Sequence, residues 1–195
     1  MRPDELTRRR FLGAVAGGAA ALWLTALDAP PVPAEPNETD TETYRGERLA
    51  TLTASQAADL DAFAAQIVPS EPDGLGAREA GSVFFIDRGL ATFAKEQRPL
   101  FTKGLGELRD AAAARGGRSF AALPAAGQLA VLSAMEEAKS EFFGAARAAV
   151  VAGLLADPKH GGNRGRVGWR LIGFDNRFHW MAPFGWYDGR TTDAD

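Results

Sequence analysis

The chain has 195 residues, 46% hydrophobic and 24% charged, and 22 Lys+Arg against 25 Asp+Glu give a net charge of −3. That balance suits a globular domain with a real core and supplies no electrostatic case for binding nucleic acid. The absence of cysteine excludes disulfides, iron–sulfur clusters, thiolate zinc sites, covalent c-type haem and a lipidated cysteine. Two histidines, His160 and His179, leave little material for a His-rich metal site.

Residues 1–29 read as an address rather than as fold. Thr7-Arg8-Arg9-Arg10-Phe11-Leu12-Gly13 resembles the twin-arginine export signal, in which Arg8, Arg9, Phe11 and Leu12 are the recognised positions. The Ala- and Gly-rich run Phe11–Leu27 follows. It is less apolar than a stable membrane anchor, which needs about 20 strongly apolar residues. Val32-Pro33-Ala34 offers small residues for cleavage, and an uncleaved leader is the alternative. The twin-arginine translocase carries folded proteins, often with cofactor inserted. A cysteine-free chain has no obvious cofactor of its own to protect, so it is expected to travel bound to another protein, into the periplasm.

Residues 30–48 combine Pro30, Pro31, Pro33 and Pro36 with Glu35, Glu38, Asp40, Glu42 and Glu47. Proline and acid with few apolar residues predict an extended, mobile linker.

Residues 49–156 carry helical signals. Thr53-Ala54-Ser55-Gln56 fits a capping box, followed by Leu60, Phe63, Ala64 and Ile67 at helical spacing until Pro69 and Pro72. A second helix is expected in Ala77–Lys95, with Val83, Ile86, Leu90 and Phe93 inward. A third is expected over Pro99–Arg115, with Phe101, Leu105, Leu108 and Ala112. Pro124 opens a fourth, with the stripe Leu129, Leu132 and Met135. A fifth is expected over Glu141–Leu155, with Phe142, Phe143, Ala146, Val150 and Leu154. No segment alternates with period two. The pattern predicts an all-α fold, a small orthogonal bundle of about five helices.

Residues 157–195 form a different kind of segment. Between Asp157 and Arg190 lie seven glycines and three of the four tryptophans, Trp169, Trp180 and Trp186, with six basic and three acidic residues. This predicts an ordered, irregular Gly/Trp-rich arm lying on a surface. It either covers its own bundle or presents Trp and Arg, residue types favoured at interface anchors, to a partner. Gly161 and Gly162 permit close approach of another chain. Asn163 can cross-link loops, Arg164, Arg166 and Arg170 can bind carboxylates bidentately, and Trp169 offers a rigid apolar face.

No catalytic constellation emerges. The histidines lack metal spacing such as HExxH. No strand precedes Gly161-Gly162-Asn163-Arg164-Gly165, so a dinucleotide loop is not indicated. There is no Gly-x-Ser-x-Gly elbow, and Glu136, Glu137 and Glu141 suit a solvated surface.

The arm contains Asp157-Pro158, Gly161-Gly162-Asn163 and Gly168-Trp169-Arg170-Leu171-Ile172-Gly173-Phe174 in that order. Upstream stand Leu52-Thr53, Ile67-Val68-Pro69, Gly76-Ala77-Arg78-Glu79-Ala80-Gly81, Phe85-Ile86-Asp87-Arg88, Phe120 and Leu123-Pro124. This series resembles the gluconate 2-dehydrogenase subunit 3 family over about residues 49–176, with His160 where the family usually has Tyr. The resemblance implies a non-catalytic small subunit of a membrane-associated dehydrogenase, with no cofactor in this chain. The large subunit of such complexes is an FAD-dependent flavoprotein of the glucose–methanol–choline (GMC) oxidoreductase superfamily that oxidises a sugar, polyol or sugar acid. It commonly lacks its own export signal. A multi-haem cytochrome c subunit often takes the electrons. The partner interface is then expected among Gly161, Gly162, Asn163, Arg164, Gly168, Trp169, Arg170, Ile172, Gly173, Phe174, Trp180 and Trp186. The alternative is a stand-alone periplasmic carbohydrate-binding helical protein whose aromatic arm stacks on a sugar.

Overall fold

The computed structural model describes residues 22–23, 42–72 and 74–176. Arg8, Arg9, Phe11, Leu12, His179, Trp180 and Trp186 lie outside the described residues. The elements are β1 (Thr43–Tyr44), β2 (Glu47–Arg48), α1 (Ala54–Ile67), α2 (Ser82–Ala91), α3 (Arg98–Ala113), α4 (Ala125–Glu137), α5 (Glu141–Leu155) and α6 (Val167–Leu171). Short 3-10 turns occupy Lys95–Gln97, Pro158–His160 and Arg164–Arg166. The all-α expectation holds: α1 to α5 are the bundle, and α6 is a short turn inside the arm.

Side chains satisfy first-turn N–H groups at α1 and α5, and prolines mark the starts of α3 and α4. At α1, Gln56 N donates to Thr53 Oγ1 and Thr53 N donates back to Gln56 Oε1, a complete capping box. Pro99 sits in the first turn of α3 and Pro124 immediately precedes α4. Ser140 caps α5 by accepting from Phe143 N.

Helix α5 packs against α1, α2, α3, α4 and α6. Around it Phe63, Phe85, Phe101, Phe120 and Phe142 are fully buried. The Phe142 ring stands edge-on to Phe101 at 5.6 Å and tilted to Phe63 at 6.0 Å, the offsets that the ring quadrupole favours. The inward stripes of α1, α2, α3 and α5 match the spacing, and in α4 Leu132 and Met135 face the core as expected. Leu129 does not: it is 56% exposed, and α4 turns Gln128 and Val131 inward beside Leu132. Gln128 wins the inward position because its amide is a connector. Its Nε2 donates to the carbonyls of Phe120 and Leu123, and its Oε1 accepts from Gln66.

Carboxylates staple the loops onto this core. Asp87, buried on α2, accepts from the N–H groups of Ala50, Thr51 and Leu52 at 2.6, 2.9 and 2.8 Å. Asp59, buried on α1, accepts from Ala121 N at 2.9 Å, and burial raises its pKa. A carboxylate that accepts backbone N–H groups removes the penalty of burying those donors unpaired, about 1–3 kcal/mol each.

Two segments differ from expectation. The acidic stretch expected to be linker ends in structure: β1 and β2 pair antiparallel, Thr43 with Arg48 and Tyr44 with Glu47. Two of its acids, Glu42 and Glu47, have fixed partners, since Ala54 N donates to the Glu42 carboxylate and Glu47 pairs with Arg164. Ordered structure is therefore present upstream of residue 49, in the hairpin of residues 43–48. Trp23, in the segment expected to lie outside the fold, is fully buried in the core. Among the described residues no helix is long and apolar enough to cross a membrane.

The hairpin is latched to α1 by one buried carboxylate. Tyr44 Oη donates to Asp61 at 3.0 Å, and Arg78 Nε lies 3.1 Å from the same group. Burial raises the Asp61 pKa, against the lowering pull of Tyr44, Arg78 and Arg45. Burial and the neighbouring Asp61 charge push the Tyr44 phenol from 10.0 up to about 12. The folded state thus keeps this proton to higher pH than the unfolded state. The resulting stability is present below about pH 10 and is lost as pH rises towards 12. Thermal unfolding at pH 9 and 11 is expected to show a smaller fall for Tyr44→Phe than for the parent chain.

Candidate partner-binding site

The arm begins at the C-terminal end of α5. A helix end leaves its last carbonyls without intrahelical donors, and here the arm supplies them. Asn163 N donates to the Gly153 carbonyl at 2.8 Å, Asn163 Nδ2 to Ala156 at 2.8 Å, and Trp169 Nε1 to Leu155 at 2.8 Å. Asn163 Oδ1 accepts from Gly168 N at 2.9 Å. One fully buried amide thus ties α5 to α6 through both of its ends. Asn163 holds φ +46°, a left-handed conformation that Asn tolerates better than most residues.

Glycine allows the close approach. A Cβ on Gly162 would collide with the Gly153 carbonyl, and one on Gly168 with the Leu154 carbonyl. These positions lack side chains because another backbone occupies that space.

Arg164 secures the arm from the other side. Its backbone N donates to the Ala80 carbonyl at 2.9 Å. Its guanidinium lies 3.9 Å over the Phe84 ring and grips Glu47 with both terminal nitrogens, Nη2 to Oε2 at 2.7 Å. A flat fork on a ring face, closed by a carboxylate, is a task that lysine cannot perform.

The sequence-predicted residues therefore separate into two groups. Gly161, Gly162, Asn163 and Gly168 are buried against the chain's own bundle, and Arg164 is half-buried between hairpin and α2. Trp169 is half-buried, its N–H committed to Leu155 and its ring edge-on to Phe174 at 5.3 Å. These residues build the arm. Arg170, Ile172, Gly173 and Phe174 face outward. Ile172 is 59% and Phe174 44% exposed, and Leu171 and Leu75, which sequence reasoning missed, are 52% and 49% exposed. Leu75 and Leu171 line a surface groove of about 480 Å³ together with Pro72, Glu71 and Arg170. Arg170 is aimed by a hydrogen bond to the Gly165 carbonyl, and Arg166 stands over Trp169 at 6.0 Å. The result is an apolar patch with charged neighbours on an arm whose backbone is fixed. The available signal for Leu75 and Leu171 was only that each is a large apolar residue beside glycines or charges.

His160 is not part of this surface patch. Its Nε2 is buried without a hydrogen-bond partner among the described residues, and burial, aided by Lys159, lowers its pKa. Among the described residues no group of three or more metal-ligating side chains comes together.

The described residues thus form an all-α bundle with a pinned C-terminal arm that carries exposed apolar side chains. The family model for gluconate 2-dehydrogenase subunit 3 matches residues 54–175. The chain belongs to that family, whose description is that of a dehydrogenase subunit. No match was found among curated proteins or among solved structures.

Asn163→Gly keeps the backbone conformation and deletes the side-chain bonds. It leaves a buried N–H and a buried carbonyl unpaired, so a loss of about 3 kcal/mol is expected. Denaturant titration measures it, and limited proteolysis should show earlier cutting beyond residue 157.

Proposed function

We propose that this chain is the non-catalytic small subunit and export escort of a periplasmic, FAD-dependent GMC-type dehydrogenase acting on a sugar, polyol or sugar acid. The flavoprotein docks on the outward face of the arm and owns the redox chemistry. Where a multi-haem cytochrome c subunit is present, it joins through that flavoprotein, and the complex sits at the membrane. The twin-arginine leader carries the pair across in folded form.

The carrying observation is the patch of Leu75, Leu171, Ile172 and Phe174, exposed on a backbone fixed by Asn163 and Trp169. Ordering an arm normally costs conformational entropy on binding. Here the chain's own bundle has already immobilised it, so a partner gains the apolar burial without that penalty. The family membership supports the choice of a dehydrogenase as the partner, and the leader sequence supports shared export.

Co-expression with the neighbouring flavoprotein and purification through a tag on this chain tests the reading. The flavoprotein should co-purify, yellow and active. Leu171→Glu with Ile172→Glu should reduce its recovery at least tenfold. The melting temperature should stay within about 2 °C, because both side chains already face solvent. A colourless, solitary chain from the unmutated pair would refute the proposal.

Arg8→Lys with Arg9→Lys separates escort from assembly. Fractionation should show both chains retained in the cytoplasm, still associated with each other.

A further inference from the structure

Trp23 belongs to the apolar run Phe11–Leu27 that reads as a leader, yet its surroundings are those of a core residue. Its side chain is 0% exposed. Its ring lies edge-on to Phe93 at 5.3 Å and tilted to Phe101 and Phe85 at 5.7 and 5.9 Å. Its Nε1 donates a 2.7 Å hydrogen bond to Oε1 of Gln97, which is itself buried. On α2, Gly89 leaves open the space that the indole fills, since a Cβ there would strike the ring. Residues of α2, the following 3-10 turn and α3 thus form a slot with three aromatic walls and one acceptor placed for an indole N–H.

We propose that Trp23 is a permanent core residue, and that the leader is consequently retained on the folded protein by docking into this slot rather than removed at Val32-Pro33-Ala34. Emptying the slot would leave three phenylalanine rings facing a cavity and take a donor from Gln97. Both changes are costly in a close-packed interior. A cut between Trp23 and the bundle would turn an intramolecular contact into one that must be held without a covalent link. The proposal rests on the contacts of Trp23 alone and is independent of which partner the arm binds.

The test uses the full-length chain. Intact-mass measurement on protein purified from the cells that make it, on whichever side of the membrane it is found, should give a polypeptide that includes Trp23. Trp23→Ala should lower the thermal midpoint by about 10 °C, the effect of a large core truncation in a domain of this size. Trp23→Phe, which preserves most of the packing and loses the N–H, should lower it by about 3–6 °C. It carries the test if the alanine variant does not fold. A mature N-terminus beyond residue 23 overturns the proposal, as does a Trp23→Ala or Trp23→Phe midpoint indistinguishable from the parent. Failure of the flavoprotein to co-purify would leave these readouts unchanged, so the two proposals fail separately.

Discussion

The constraint that organises the functional end of the molecule is the C-terminus of α5. A central helix buried on several sides ends with carbonyl groups that water cannot reach freely, and those oxygens need donors. The arm meets that need with two donors from Asn163 and the indole N–H of Trp169. From this requirement follow the glycines beside it, because donors can reach the helix end only if the backbones nearly touch.

The same requirement divides the arm into an inner and an outer face. Residues that answer the helix end have their donors committed to it, Asn163 fully buried and Trp169 half-buried. Outward stand the apolar side chains of Leu171, Ile172 and Phe174, with Leu75 across the groove from Leu171, among the exposed Arg166 and Arg170. Large exposed aliphatic groups on an otherwise well-packed domain mark a place where something else belongs. Conserving the inner residues and varying the outer ones would change the partner without changing the fold.

Much of the bundle was legible because its signals are local. Thr53 and Gln56 lie three residues apart and form the box that their types predict, and the apolar residues Phe101, Leu105, Leu108 and Ala112 of α3 recur at helical spacing. The interior roles of Asp59, Asp61 and Asp87 were not legible. Each answers N–H, hydroxyl or guanidinium groups far away in sequence, and in a linear pattern an aspartate reads as solvated surface. Leu129 misled for the converse reason, since the more polar Gln128 had three carbonyls to satisfy on the inside. In the arm, the types Gly, Asn and Trp signalled close backbone packing. Whether they faced their own helix or a partner depended on where α5 stops, which only the assembled structure supplies.

The Arg164–Glu47 pair joins residues 117 positions apart in the chain. A ribosome delivers the hairpin long before it delivers the guanidinium that closes on it. The hairpin stacked on Phe84 and Arg164 therefore reaches its final form only after nearly all of the bundle has been synthesised. The bidentate closure on Glu47 thus reports at residues 43–48 whether a segment 117 positions downstream has reached its place.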